Sequence, residues 1–139
     1  MVTSAQALKK YGDPTLEHSM VVWDVPAILE VGIIPKKLYC NKDMVAPLSQ
    51  SFKNLIDTGF VKELKTFDGC FNIRKKRGLN SMSLHSWGIV IDVNAAWNQL
   101  NMVPTLSSGF VKCFTDAGFE WGGTWKGRVD AMHFQLRSI

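Results

Sequence analysis

Between Ser81 and Asp92 the chain reads SMSLHSWGIVID. Ile89, Val90 and Ile91 form the β-branched run of a buried strand. Yet a histidine stands four residues before that run and a carboxylate directly after it. A strand that only packs has no use for either group, whereas a metal site uses both. His85 and Asp92 are seven apart, so along one regular strand their side chains would oppose one another. A turn between them removes the conflict, and Gly88 supplies the backbone freedom for it. The expectation is His85 on a loop leading in and Asp92 at the strand end.

Working outward, a catalytic zinc takes three protein ligands of histidine or carboxylate type and leaves a position for water. The chain holds three histidines, His18, His85 and His133. His133 stands in DAMHFQL, strand material able to lie beside the first strand. His18, in LEHSM, has no partner at ligand spacing and reads as a surface or packing residue. Metal-assisted hydrolysis also needs a general base. Asp130, three residues before His133, can reach a water if a short turn precedes the strand; taken alone it reads as one more solvated loop acid. Trp87 is expected to pack under the metal loop. Trp121 and Trp125 flank GGT just ahead of Asp130, and are either core aromatics or the wall of a cleft for a peptide or sugar.

The rest of the chain sets bounds. Its 139 residues suffice for one domain, 1–139, and its 46% hydrophobic content with five Trp and eight Phe describes an ordered globule. The net charge of +4 favours an anionic environment such as nucleic acid, a membrane surface or bacterial cell wall. Cys40, Cys70 and Cys113 form no CxxC pair, and are expected as free buried thiols. MVTSAQALKKYGDP has no apolar run behind its lysines, and no stretch approaches a membrane span, so a soluble chain made in the cytoplasm is expected.

A short helix is predicted through SAQALKK with Ser4 as its cap. MVVWDVP and ILEVGIIP read as extended or irregular, and KKLYCN as a short strand. Asp43 is expected to cap an amphipathic helix with Met44, Val45, Leu48, Phe52, Leu55 and Ile56 on one face, Pro47 in its first turn and Gly59 at its end. FVKELKTFDGCFNIR supplies strand material. A second amphipathic helix after Thr105 places Phe110, Val111, Phe114 and Ala117 on one face and stops at Gly118. FEWGGTW is a glycine-loosened strand or turn. Helices against an antiparallel or mixed sheet make an α+β layout.

SLHSWGIVID resembles the S-x-H-x-x-G-x-A-x-D motif of the zinc peptidases that cleave bacterial peptidoglycan stems, and DAMH resembles their second motif. That family includes D-Ala-D-Ala dipeptidases and carboxypeptidases and the L-alanyl-D-glutamate endopeptidases used as small phage endolysins. It shares its fold with the Hedgehog signalling domain. The pattern covers about residues 68 to 136, with Val90 where the family has alanine; the first 40 residues carry no matching motif. The resemblance implies His85, Asp92 and His133 as zinc ligands and Asp130 as the catalytic base. Ser83 opens the motif and is implied to hydrogen-bond near the metal or substrate. The family's upstream oxyanion-stabilising arginine falls in CFNIRKKRG on Arg74 or Arg77, and Arg74 is preferred because it ends a predicted strand.

The implied function is hydrolysis of a stem-peptide amide by a zinc enzyme. A monomeric phage-type endolysin without a separate wall-binding domain is expected, held in the cytoplasm until it is released onto peptidoglycan. A D-Ala-D-Ala carboxypeptidase would keep the same site and add a pocket for a terminal carboxylate, using Arg77. A non-catalytic zinc-bearing module would lack the acid at Asp130. RKKRG invites a nucleic-acid reading, but without zinc-finger spacing or a helix-turn-helix pattern no nucleic-acid partner is expected, nor a stable membrane association.

Overall fold

Val90–Val93 forms a strand with neighbours on both sides, and the fold is arranged around it. In the computed structural model, which describes residues 1–139, three helices accompany two antiparallel sheets. The strands are β1 (Met20–Asp24), β2 (Lys37–Asn41), β3 (Phe67–Gly69), β4 (Val90–Val93), β5 (Phe119–Trp121) and β6 (His133–Leu136). β1 and β2 pair as a two-stranded ribbon, and the larger sheet has the order β3-β4-β6-β5. The helices are α1 (Ser4–Tyr11), α2 (Val45–Thr58) and α3 (Ser108–Thr115). The architecture is α+β, and of the two expected sheet types the antiparallel one is found. No helix is long and apolar enough to cross a membrane.

The apolar faces of α2 and α3 fold onto one core that runs from Val2 to Leu136. Leu48, Phe52 and Leu55 of α2 meet Phe110 and Phe114 of α3 with Ile91, Phe119 and Phe134 from the sheet in that core, all fully buried. Burying each such side chain contributes roughly 1.5–3 kcal/mol. Phe114 stacks on Phe134 with ring centroids 4.5 Å apart, tying α3 to β6. The three cysteines are free and buried, as expected. Burial raises their thiol pKa values, Cys40 to about 11, so they stay protonated.

Several local expectations are corrected. Thr3, not Ser4, caps α1: its hydroxyl accepts from the Gln6 N–H while the Gln6 side chain accepts from the Thr3 N–H. Ser4 instead donates to the carbonyl of Met82 at 2.5 Å. Asp43 caps nothing, because Asn41 accepts the Asp43 N–H and opens a 3-10 turn that runs into α2. The Asp43 carboxylate is then free to accept from the Tyr11 hydroxyl at 2.7 Å. Of FVKELKTFDGCFNIR only Phe67–Gly69 is strand; Phe60–Glu63 is a 3-10 turn, and Arg74 lies in irregular chain beside an isolated bridge from Lys75 to Met82. Nothing there ends a strand at Arg74.

Candidate metal centre and catalytic cleft

The register of β4 against β6 sets Asp92 directly opposite His133. His85 arrives from a 3-10 turn, Leu84–Trp87, that precedes β4. Ser83 opens that turn by accepting the His85 N–H at 3.3 Å, and Gly88 closes it with φ of 65°. A Cβ at Gly88 would stand 2.7 Å from the Met20 sulfur and 2.9 Å from the backbone nitrogen of Asn41. Glycine is therefore required twice, for its left-handed backbone and for the close approach of β2. The turn inferred between His85 and Asp92 exists, and it reverses the parity that would have kept them apart.

His85, Asp92 and His133 each offer a ligand atom, and these atoms all lie within 4.8 Å of one another. His85 Nε2 is 3.0 Å from Asp92 Oδ2, and His133 Nδ1 is 3.8 Å from Asp92 Oδ1. The opposite nitrogen of each ring is already engaged. His85 Nδ1 lies 2.6 Å from the Cys70 carbonyl, which can only accept, so Nδ1 carries the proton and Nε2 keeps its lone pair. His133 Nε2 lies 2.8 Å from Gln135 Oε1 and by the same logic leaves Nδ1 with its lone pair. Outer hydrogen bonds of this kind fix the tautomer that a metal needs. Asp92 Oδ1 is buried with no hydrogen-bond partner. Two imidazole lone pairs and an orphaned carboxylate oxygen, gathered within 4.8 Å, fit a zinc ion.

The protonation states agree with that fit. Burial opposes ionisation of Asp92, but the hydrogen bond from His85 and the charges of His85, His133 and Arg74 together hold its carboxyl below the ordinary value. Burial lowers the pKa of His133 despite Asp92 and Asp130 nearby, which favours the neutral ligand form. Asp130 is shifted the other way. Burial, reinforced by the Asp92 charge, raises its pKa although His133 counteracts. Its Oδ2 is 3.6 Å from His133 Nδ1. A carboxyl made more basic, beside the three ligands, is suited to taking a proton from water.

These groups line a cleft of about 260 Å³. Ser83, Arg74, Arg77 and Trp125 also line it. Ser86, which the sequence reading passed over, accepts the Arg74 N–H at 3.2 Å and donates to the Arg74 carbonyl at 3.1 Å, so Arg74 is held by its backbone and not by a strand. Trp125 lies against His133 with ring centroids 5.0 Å apart. Trp121 is absent from the cleft lining. Its ring stacks near Phe134 and its N–H donates to the Ala131 carbonyl at 2.7 Å, which makes it a support for the loop before β6. His18 also stands away from the metal group.

Gln135, the Cys70 carbonyl, Lys76 and Arg128 complete the surroundings and were not singled out from the sequence. Gln135 left a trace there: two residues after His133 on a strand, it shares the histidine's face. The Cys70 contact left none, because a backbone carbonyl has no sequence signature.

No curated protein and no solved structure matches the chain significantly. A family model described as D-alanyl-D-alanine carboxypeptidase matches residues 77–136. That span includes the two histidines, Asp92 and Asp130, and excludes Arg74. With the ligand atoms converged as above, residues 77–136, less than half of the chain, are similar to the D-alanyl-D-alanine carboxypeptidase family of peptidases.

Proposed function

We propose that this chain is a zinc-dependent peptidoglycan peptidase that hydrolyses a stem-peptide amide, specifically an L-alanyl-D-glutamate endopeptidase working as a phage-type endolysin. The observation that carries the hydrolytic reading is the Asp130 carboxylate, 3.6 Å from a ligand nitrogen of His133, inside the cleft that holds all three candidate ligands. A binding module has no need of a basic carboxylate at that position.

His85 Nε2, His133 Nδ1 and the Asp92 carboxylate would hold the ion, which when bound supplies Lewis acidity toward a water and a carbonyl oxygen. Asp130 accepts the proton as water attacks the amide carbon, then delivers it to the leaving amine. Arg74, permanently charged and lining the cleft, offers hydrogen bonds to the oxygen on which negative charge develops. Trp125 walls the cleft beside His133 and limits access of bulk water. The endopeptidase and endolysin assignments rest on the motif resemblance and on the net charge of +4, suited to an anionic wall; on this reading the chain acts as a monomer after release from the producing cell.

The test is a digest of purified peptidoglycan with and without chelator and added zinc, read by mass spectrometry. Zinc-dependent stem peptides with a new N-terminal D-Glu are expected; release of single D-Ala would move the assignment to a carboxypeptidase. Asp130→Asn is expected to keep its zinc and lose about 10²–10⁴ in turnover. An Asp130→Asn protein that digests at the parent rate removes that residue from the mechanism.

A further inference from the structure

The run from Trp125 to Met132, which carries Asp130, belongs to no helix or strand. A carboxylate on such a run holds a productive position only if the backbone beside it is tied down. Within the neighbourhood of β6 two ties exist: the Asp130 N–H donates to the Gly122 carbonyl at 3.0 Å, and the Asp130 carbonyl accepts the His133 N–H at 3.2 Å. Gly122 admits this approach because a Cβ there would clash with the Asp130 carbonyl oxygen. A further tie comes from a separate loop. The Asn101 N–H donates to the Val129 carbonyl at 2.7 Å, and Asn101 Oδ1 accepts the Val129 N–H at 3.1 Å. Both backbone polar groups of the residue just before Asp130 are thus taken by one residue, 28 positions earlier in the chain.

The loop that presents Asn101 is built for that grip. β4, which carries Asp92, leads through the 3-10 turn Ala95–Trp97 into it, and α3 follows it. Fully buried Asn98 closes its base: Asn98 Oδ1 accepts the Thr105 N–H at 2.8 Å, and its amide donates to the Asn94 carbonyl at 3.1 Å. At the tip the Met102 N–H donates to the Gln99 carbonyl at 3.0 Å, and Asn101 inside that turn has φ of 62°. Asparagine enters the left-handed region more readily than most residues and brings a side-chain carbonyl with it. Packing does not hold the tip against Val129, because Met102 and Val103 are 44% and 85% exposed. The two hydrogen bonds from Asn101 do.

We propose that Asn101 is a positioning residue for the Asp130 carboxylate, acting through the backbone of Val129. The proposal rests on the peptidase reading and adds to it the part that holds the base. It also links the two acids of the site along the chain, since the segment that leaves the Asp92 strand returns to fix Asp130.

The experiment uses the zinc-loaded chain and a soluble synthetic stem peptide containing the L-alanyl-D-glutamate bond. Asn101→Gly keeps the left-handed backbone and the N–H donor and deletes only the side-chain acceptor. It is expected to lower kcat about 10–100-fold, with KM, zinc content and circular dichroism unchanged, because a small displacement of a reacting group suffices for such a loss. Asn101→Asp, which retains an acceptor at the same place, should recover most of the rate. In the Asp130→Asn background Asn101→Gly should cost nothing further, since the group it positions has already lost its function. A parental kcat in Asn101→Gly overturns the proposal, as does an undiminished loss in the Asp130→Asn background. NMR reads the position without turnover: three-bond couplings of the Asp130 side chain should report one χ1 rotamer in the parent and averaging in Asn101→Gly. Should the parent cut no peptide, the peptidase reading fails and the couplings decide the positioning role by themselves. Averaging confined to the variant supports it, and the same couplings in both proteins overturn it.

Discussion

The two halves of this molecule bury different chemistry. From Val2 to Leu55 the buried residues are apolar except for Asn41 and Ser51, and Cys40 carries an inert protonated thiol. From Ser83 onward, Ser83, His85, Ser86, Asn94, Asn98, His133 and Gln135 are all buried beside the core. Burying polar groups costs free energy unless each finds a partner, so a fold places them inside only where something else requires them. Here Ser83, His85, Ser86, His133 and Gln135 surround the candidate metal site, while Asn94 and Asn98 hold the backbone of neighbouring loops. The amino-terminal half supplies apolar burial, and the carboxy-terminal half uses that stability to hold polar groups in fixed positions.

The sharpest way to break the comparison is to damage each half in turn. Phe52, fully buried on α2 and stacked with Trp23 at 6.1 Å, belongs to the apolar half. Phe52→Ala is expected to cost about 3–5 kcal/mol in urea unfolding. The fraction that remains folded should bind zinc with parental affinity. Loss of affinity in that folded fraction would show that the apolar half shapes the ligand geometry through α2 and not only through the seam with the metal turn. Gly88→Ala attacks the seam itself, where the left-handed backbone and the contact with Asn41 both exclude a side chain. A cost of about 2–4 kcal/mol is expected from the two effects together, with weaker zinc binding alongside. A Gly88→Ala protein as stable as its parent would mean that β2 yields easily and the seam is soft.

The same division explains what was legible in the sequence. Periodicity exposed α2 and α3 because a helix against an apolar core repeats its hydrophobic face; Gly59 marked the end of α2, but α3 stops at Thr115 with Asp116 as its cap, short of Ala117 and Gly118. The grouping of His85, Asp92 and His133 as candidate ligands was legible because metal chemistry restricts residue types, and Gly88 had to reverse direction between His85 and Asp92. Arg74 was placed in the cleft for the wrong reason: FVKELKTFDGCFNIR has β-forming residues, but after Gly69 Ser86 takes up backbone groups of Arg74 that a strand would have paired. Trp121 and Trp125, equivalent by spacing, were separated by a 3-10 turn at Gly122–Thr124 that turns one toward Phe134 and the other toward His133. The contacts of the first 41 residues with the turn at His85 were invisible, because they run through backbone groups: the Asn41 N–H reaches the Gly88 carbonyl at 3.1 Å, and the Gly12 carbonyl receives the Trp87 side chain.

Within the polar half, Gln135 tests whether orientation of a ligand counts separately from its presence. Gln135→Ala removes the acceptor that keeps the proton on His133 Nε2, while His133 itself remains. Zinc affinity is expected to fall about 10–100-fold. Gln135→Glu, which keeps an acceptor at that position, should restore most of the loss. If Gln135→Ala binds zinc as well as the parent, the imidazole is held by packing against Trp125 and the tautomer needs no outer partner.

Trp87 poses the smallest and most discriminating test, because it belongs to both halves. Trp87 is the last residue of the 3-10 turn that carries His85; its ring is buried, and its N–H donates to the Gly12 carbonyl at 2.8 Å, just past α1. The Trp87 carbonyl in turn accepts from the Asn41 side chain at 3.0 Å. Trp87→Phe keeps most of the apolar surface and deletes only the N–H, so the stability loss should be about 1 kcal/mol, the net value of one hydrogen bond. If the amino-terminal half merely covers the core, nothing else should change. If it also fixes the turn, the His85 ring should gain freedom, and zinc should leave faster from the folded protein, with the on-rate unaltered. The contacts converging on Trp87 and Gly88 from Gly12 and Asn41 favour the second outcome, because they grip the backbone of the turn rather than the core beneath it.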